Sequence, residues 1–196
     1  MELILHRKNS IEDLCNTNKK YGVEVDIRSY GDELIIAHDP FSNFAYFKKW
    51  ITFYDHGTLI LNLKEDGLED KLLKLMESNN IQNFFFLDQS FPSLIKTIKS
   101  KEKRCAIRLS EYESIQTVLN LKGKIDWVWI DYFTKFPLDY NSCSLLKKYK
   151  FKLCLVSPEI QGYDEMETIN LKKFLKQKNI IFDAVCTSFI NLWEDQ

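Results

Sequence analysis

Short apolar, β-branched or aromatic runs recur along this chain at a steady interval, with helical patterns between them. The strand candidates are LILH (3–6), VEVDIR (23–28), TLILNLK (58–64), FFFLD (84–88), CAIRLS (105–110), WVWIDYF (127–133), KLCLVSPE (152–159) and AVCTSF (184–189). Helical stretches are expected over 10–20, 42–54, 68–79, 91–100, 111–121, 140–149 and 164–178. Such alternation calls for parallel strands joined by helical crossovers, which leaves two α/β architectures. One is a compact TIM (β/α)8 barrel, and the runner-up is an open doubly wound sheet. Eight principal strands favour the barrel. A further run, ELIIAH (33–38), follows Tyr30-Gly31-Asp32 and reads as a β-hairpin return from the second strand. The last helix, after Phe189, is expected to be stunted. No Gly/Pro/Ser-rich linker, low-complexity tract or repeat interrupts the pattern, so a single domain over residues 1–196 is expected.

Composition narrows the function classes. With 196 residues, 45% of them hydrophobic, the chain can bury a full core. A net charge of -1 offers no global basic field, so no nucleic-acid partner is expected. No apolar run approaches the ~20 residues needed to cross a bilayer, so no stable membrane insertion is expected. The opening MELILHRKNS carries Glu2 and Arg7 inside its apolar run and does not read as a signal peptide. Five cysteines, never spaced CxxC and mostly in apolar contexts, argue for reduced, buried thiols in a cytoplasmic protein. Oligomeric state is left open.

Function is suggested by the strand ends. Polar residues collect at the C-terminal ends of the strand candidates: His6, Glu24, Asp26, Arg28, Asn62, Lys64, Asp88, Arg108, Asp131 and Glu159. In parallel α/β folds that edge is where chemistry occurs. Residues two apart on a strand share a face, so Glu24 and Asp26 lie side by side, an arrangement that a hard divalent cation would stabilise. An Asn62 oxygen can complete such a shell, and Lys64 can neutralise a phosphate. Arg7, Arg28 and Arg108 are further anion partners. His6 and His38 are candidates for general base and acid, with Asp39 placed to orient a ring. Asp88, Asp131 and Glu159 are accessory rim groups. His56, at the opposite end of the strands, reads as structural, as do Trp127, Trp129 and the Phe84–Phe86 run.

Taken in order, LILHR, NS, YGVEVDIR, AHDP and LILNLK resemble the glycerophosphodiester phosphodiesterase family of the PLC-like phosphodiesterases. The close match covers the first third of the chain, and the closing FDAVCTSF is similar to the family's final strand. The resemblance implies a TIM barrel that cleaves phosphodiesters with one divalent cation, Mg²⁺ or Ca²⁺. Carried over by position, it makes His6 and His38 the acid/base pair, Glu24 and Asp26 metal ligands, and Arg7 and Lys64 phosphate-binding residues. Asn62 stands where the family has a metal-binding glutamate, Lys8 replaces the glycine after His-Arg, and the insertion common after His-Asp is missing. The implied substrate is a small phosphodiester carrying glycerol, a sugar or a head group. The alternative is a catalytically weakened phosphometabolite-binding barrel without hydrolase activity, motivated by Asn62 and the short loops.

Overall fold

The structure is a computed structural model and describes residues 1–194. Its strands are β1 (Glu2–Leu5), β2 (Gly22–Tyr30), β3 (Glu33–Ile36), β4 (Ala45–Tyr46), β5 (Leu59–Leu63), β6 (Phe84–Leu87), β7 (Ala106–Leu109), β8 (Trp127–Ile130), β9 (Lys152–Val156) and β10 (Ala184–Thr187). Each of the eight principal runs is a strand, and the hairpin return is β3. The two-residue β4 was not expected from the sequence.

Contacts group the chain into two compact units, residues 7–104 and residues 1–6 with 105 onward. In the first, the strand order is β4-β3-β2-β5-β6. β2, β5 and β6 run parallel, while β2–β3 and β3–β4 are antiparallel. Within the second, β1-β10-β9-β8-β7 are all parallel. β5, β6, β8 and β10 are buried at every residue, which is why β6 and β8 read as unbroken apolar runs and β5 and β10 are broken only by Asn62 and Thr187.

Helices fill the intervals. Those of the first unit are α1 (Ile11–Cys15), α2 (Phe47–Trp50), α3 (Glu69–Ser78) and α4 (Phe91–Lys99). Ser10 caps α1 by accepting from the Asp13 N–H, and Pro92 sits in the first turn of α4. Two expected helices of this unit are shorter than their patterns. The 10–20 stretch stops at Cys15 because Asn16, Thr17 and Asn18 favour a turn. The 42–54 stretch divides into a loop, β4, α2 and a 3₁₀ turn at Ile51–Phe53. In the second unit α6 (Tyr140–Lys148) and α7 (Glu165–Gln177) follow the pattern, α5 (Ile115–Leu119) occupies only the later part of the 111–121 stretch because Ser110 and Glu113 form a bridge and Ser114 caps the helix, and α8 (Ile190–Trp193) is the stunted last helix. Cys105, Cys143, Cys154 and Cys186 are buried free thiols, and Cys15 is an exposed one, the exception to the buried thiols expected from mostly apolar contexts. His56 Nε2 lies 3.2 Å from the Thr17 carbonyl.

One core residue also shapes the loop after His6. Trp50, fully buried on α2, donates from Nε1 to the Lys8 carbonyl at 2.9 Å. Phenylalanine at position 50 would keep most of the apolar burial but leave that carbonyl without its donor, costing about 1–3 kcal/mol. Urea unfolding of Trp50→Phe should show a loss of that size, and an unchanged midpoint would remove the bond from the fold's stabilising contacts.

Candidate functional site

Period-2 alternation on β2 sends Val23, Val25 and Ile27 to one face and Glu24, Asp26, Arg28 and Tyr30 to the other. Glu24 and Asp26 are 0% exposed. Two carboxylates at such depth need partners, because an uncompensated buried charge is strongly destabilising. β5 supplies some of them. It pairs in parallel with β2 so that Asn62 lies opposite Asp26, and Asn62 donates from Nδ2 to Glu24 Oε1 at 2.8 Å. Glu24 Oε2 accepts from the Arg7 backbone N–H at 2.7 Å. Arg7 has φ 53, a left-handed conformation that ends the strand alternation. Its guanidinium therefore turns toward the carboxylates, Nε lying 3.5 Å from Asp26 Oδ2.

Asp26 is held more tightly still. Asn9 donates from Nδ2 to its Oδ2 at 2.7 Å and accepts its backbone N–H at 3.0 Å. Lys64 Nζ lies 3.1 Å from Asp26 Oδ1 and 3.7 Å from Asp88 Oδ2. Asp88, just past β6, is also left-handed, with φ 64. Burial, and then the neighbouring charge of Asp26, pushes the Glu24 carboxyl up to about 8, against the opposing pull of Asn62, the Arg7 N–H and Lys64.

A hard cation fits this donor set. Asp26 Oδ1 and Asn62 Oδ1 are buried and accept no hydrogen bond, although Lys64 offers the first a charge partner. These two oxygens come from residues paired in register, and each is a ligand type that Mg²⁺ and Ca²⁺ prefer. Among the described residues there is no cluster of three or more His, Cys, Asp or Glu able to hold a metal, so an amide would have to complete the shell.

His38 begins the loop after β3. Its ring is 40% exposed, and Nδ1 lies 2.8 Å from Asp39 Oδ1. A carboxylate only accepts, so the proton of this contact sits on Nδ1 and Nε2 is the ring nitrogen turned away from Asp39. Arg28, read from the sequence as an anion partner, has a different place. Its Nε and Nη2 donate to the His38 carbonyl at 3.2 and 2.9 Å, and its Nη1 to the Lys64 carbonyl at 3.3 Å. The guanidinium thus fastens together the backbones that carry the histidine and the lysine.

The other candidates lie in the second unit. The His6 N–H donates to the Thr187 carbonyl at 3.0 Å. Thr187 Oγ1 donates to Glu159, which also accepts from Ser157, Thr168 and the Ser188 N–H. Those four donors account for Glu159 as a buttress of the β9 and β10 ends. Arg108 Nη1 donates to Asp131 Oδ2 at 2.5 Å, while Asp131 Oδ1 accepts from Trp129 and Gln161. His6 itself is joined directly to Arg7, whose amide reaches Glu24.

No protein-family model and no curated protein sequence matches the chain. Solved structures do. A glycerophosphodiester phosphodiesterase from Agrobacterium tumefaciens str. C58 superposes with a TM-score of 0.68 at 12% identity, over 98% of this chain and 98% of that one. A glycerophosphoryl diester phosphodiesterase from Parabacteroides distasonis ATCC 8503 gives 0.64 at 10% identity, over 95% of this chain and 82% of that one. The chain has the glycerophosphodiester phosphodiesterase fold. That is the barrel class expected from the strand count, and it replaces the doubly wound alternative.

Sequence reading missed Asn9 and Trp50 as residues that shape this cluster. Asn9 carried a signal, standing two residues after Arg7 in the quoted pattern, whereas Trp50 lies in a stretch whose helical periodicity says nothing of the carbonyl it meets.

The shift at Glu24 has a sign. A group with a raised value keeps a proton in the folded chain that the unfolded chain has already released. Its contribution is full below about pH 4.5 and is lost as pH climbs through about 8. In chelator, the melting temperature of the protein should therefore fall across that window, and Glu24→Gln should flatten the fall. Parallel melting profiles for the two proteins would contradict the buried, protonated Glu24.

Proposed function

We propose that the chain is a phosphodiesterase that cleaves small phosphodiesters at the β2–β5 carboxylate cluster with one divalent cation, Mg²⁺ or Ca²⁺. The supporting observation is the buried oxygen set of Glu24, Asp26 and Asn62, with Lys64 and Arg7 against Asp26. Glu24, Asp26 and Asn62 would hold the cation. When bound, it supplies Lewis-acid polarisation and neutralises charge on the phosphoryl group. Substrates of this class carry glycerol, a sugar or a head group as the alcohol.

The chain's own residues do the rest. Lys64 presents an ammonium whose partners, Asp26 and Asp88, hold it at the carboxylates, so a phosphate oxygen entering there is met by a positioned charge. Asp39 fixes the tautomer of His38, leaving Nε2 to take or give the proton. His6 is the second member of the acid/base pair, tied by the peptide bond to the Arg7 amide that braces Glu24. Arg28 keeps the His38 and Lys64 backbones in register, and so sets the angle from which proton and charge arrive. The attacking oxygen belongs to water or to a neighbouring hydroxyl of the substrate, and phosphorus NMR of the product separates a phosphomonoester from a cyclic phosphate.

A phosphodiester panel assayed with Mg²⁺, Ca²⁺ or chelator tests the proposal. Cleavage should require the ion, and His38→Ala and His6→Ala should each lower kcat by roughly 10²- to 10⁴-fold. Metal-independent cleavage that survives both substitutions would refute it. Absence of cleavage, together with saturable phosphomonoester binding lost in Lys64→Met, would instead identify a phosphometabolite-binding barrel.

A further inference from the structure

Seven described non-glycine residues have a left-handed backbone. Four of them, Asn80, Lys101, Lys150 and Asn179, stand two places past the last residue of a helix, where chains commonly unwind through that conformation. Arg7 and Asp88 turn a charged side chain onto the carboxylate cluster. Phe41 is the seventh, with φ 61. No helix end accounts for it, and a bulky side chain makes that conformation costly. Its ring gains no packing in return, because Phe41 is fully exposed. Backbone strain of this kind collects at ligand clamps and switch segments.

Phe41 rides on a strap of chain pinned at both ends. At one end the Arg28 guanidinium holds the His38 carbonyl through Nε and Nη2, while its Nη1 holds the Lys64 carbonyl. At the other, Phe44 packs against Tyr30 with centroids 5.1 Å apart and meets Tyr46 edge-on at 5.5 Å. Tyr30 continues the Glu24–Asp26–Arg28 face of β2, so both anchors lie on the side of the sheet that carries the carboxylates. Between them, residues 39–43 are all exposed and, among the described residues, form no backbone–backbone hydrogen bond. Ser42 Oγ supplies their internal ties, donating to the Asp39 carbonyl at 2.8 Å and the Asn43 carbonyl at 3.4 Å. A segment with so few buried contacts opens and closes at little cost. Three residues of chain span at most about 10 Å, so the ring at position 41 swings within reach of the Lys64 backbone that shares the His38 anchor.

We propose that residues 39–43 are a lid, and that when a phosphate-bearing ligand occupies the Asp26–Lys64 cluster the lid folds over it, taking the Phe41 ring out of water and against the ligand. The trigger rests on the reading of this cluster as a phosphodiester site given above. The open form is the one described, with the ring exposed and the backbone left-handed. Closure buries the apolar ring and lets Phe41 return to an ordinary backbone conformation, so ligand and closed lid favour each other. Covering the phosphate also removes water from between it and Lys64, which strengthens their attraction. The Arg28 bonds to His38 and the Tyr30–Phe44 contact stay in place and serve as the two hinges.

The four native tryptophans are at most 5% exposed, so in Phe41→Trp iodide quenching reads position 41 alone. Glycerol 3-phosphate with Mg²⁺ is the probe, and calorimetry follows its binding to the native protein separately. At saturation the iodide quenching constant of Phe41→Trp should fall at least about twofold as the indole leaves water. Saturable binding with unchanged quenching overturns the proposal. Phe41→Gly takes the same backbone without strain but brings no ring to the lid. It should therefore bind the probe at least about threefold more weakly, and equal affinity overturns the proposal as well. Because position 41 lies in water, thermal melts should show native folding in both variants. Failure of the native protein to bind the probe overturns the lid, and the cleavage panel then decides the phosphodiesterase reading by itself. Binding with protection from iodide, in a protein that cleaves no member of the panel, refutes the phosphodiesterase reading and supports the lid.

Discussion

The contact on which the candidate site depends is that of Asp26 with its three partners, Lys64, Arg7 and Asn9. A carboxylate with no solvent exposure in the middle of a sheet face is unstable unless cations and donors surround it. Each partner comes from a different piece of chain, and each must be delivered to the same place. Lys64 arrives because β5 runs parallel to β2 in the register that sets Asn62 opposite Asp26. Arg7 and Asn9 arrive because the chain leaves its strand through a left-handed residue and is pinned by Trp50 at Lys8. Packing under the loop and charge within the site are thus one requirement.

The same cluster explains why the fold tolerates two acids so close together. Glu24 is relieved partly by protonation and partly by Asn62, whose amide donates where a glutamate could only repel. An amide at this position carries no negative charge and still offers one oxygen. Asn62 therefore joins two roles, a donor to Glu24 through Nδ2 and a bare acceptor through Oδ1.

Much of this was legible in the residues. Strand rhythm located all eight principal strands, because parallel strands buried on both faces write themselves as apolar runs such as FFFL and WVWI. Alternation put Glu24 and Asp26 on one face, and the order of short motifs suggested the fold that the superpositions show. Other parts were hidden. Arg28 looked like one more cation at a strand end, because nothing in the sequence says that a guanidinium will seek backbone carbonyls rather than an anion. Arg7 could not be aimed by alternation, since its left-handed φ breaks the period on which alternation relies. The 42–54 stretch, with mixed helical and aromatic character, concealed both β4 and the ring cluster, whose members meet only after the hairpin has folded.

Arg28 holds its neighbours by their carbonyls, not by their side chains. Every amino acid brings the same carbonyl, so the clamp is indifferent to what stands at positions 38 and 64. The two ends of the clamp nevertheless differ: the hold on residue 38 does not depend on the imidazole there, whereas residue 64 must also bring the ammonium that the buried Asp26 requires.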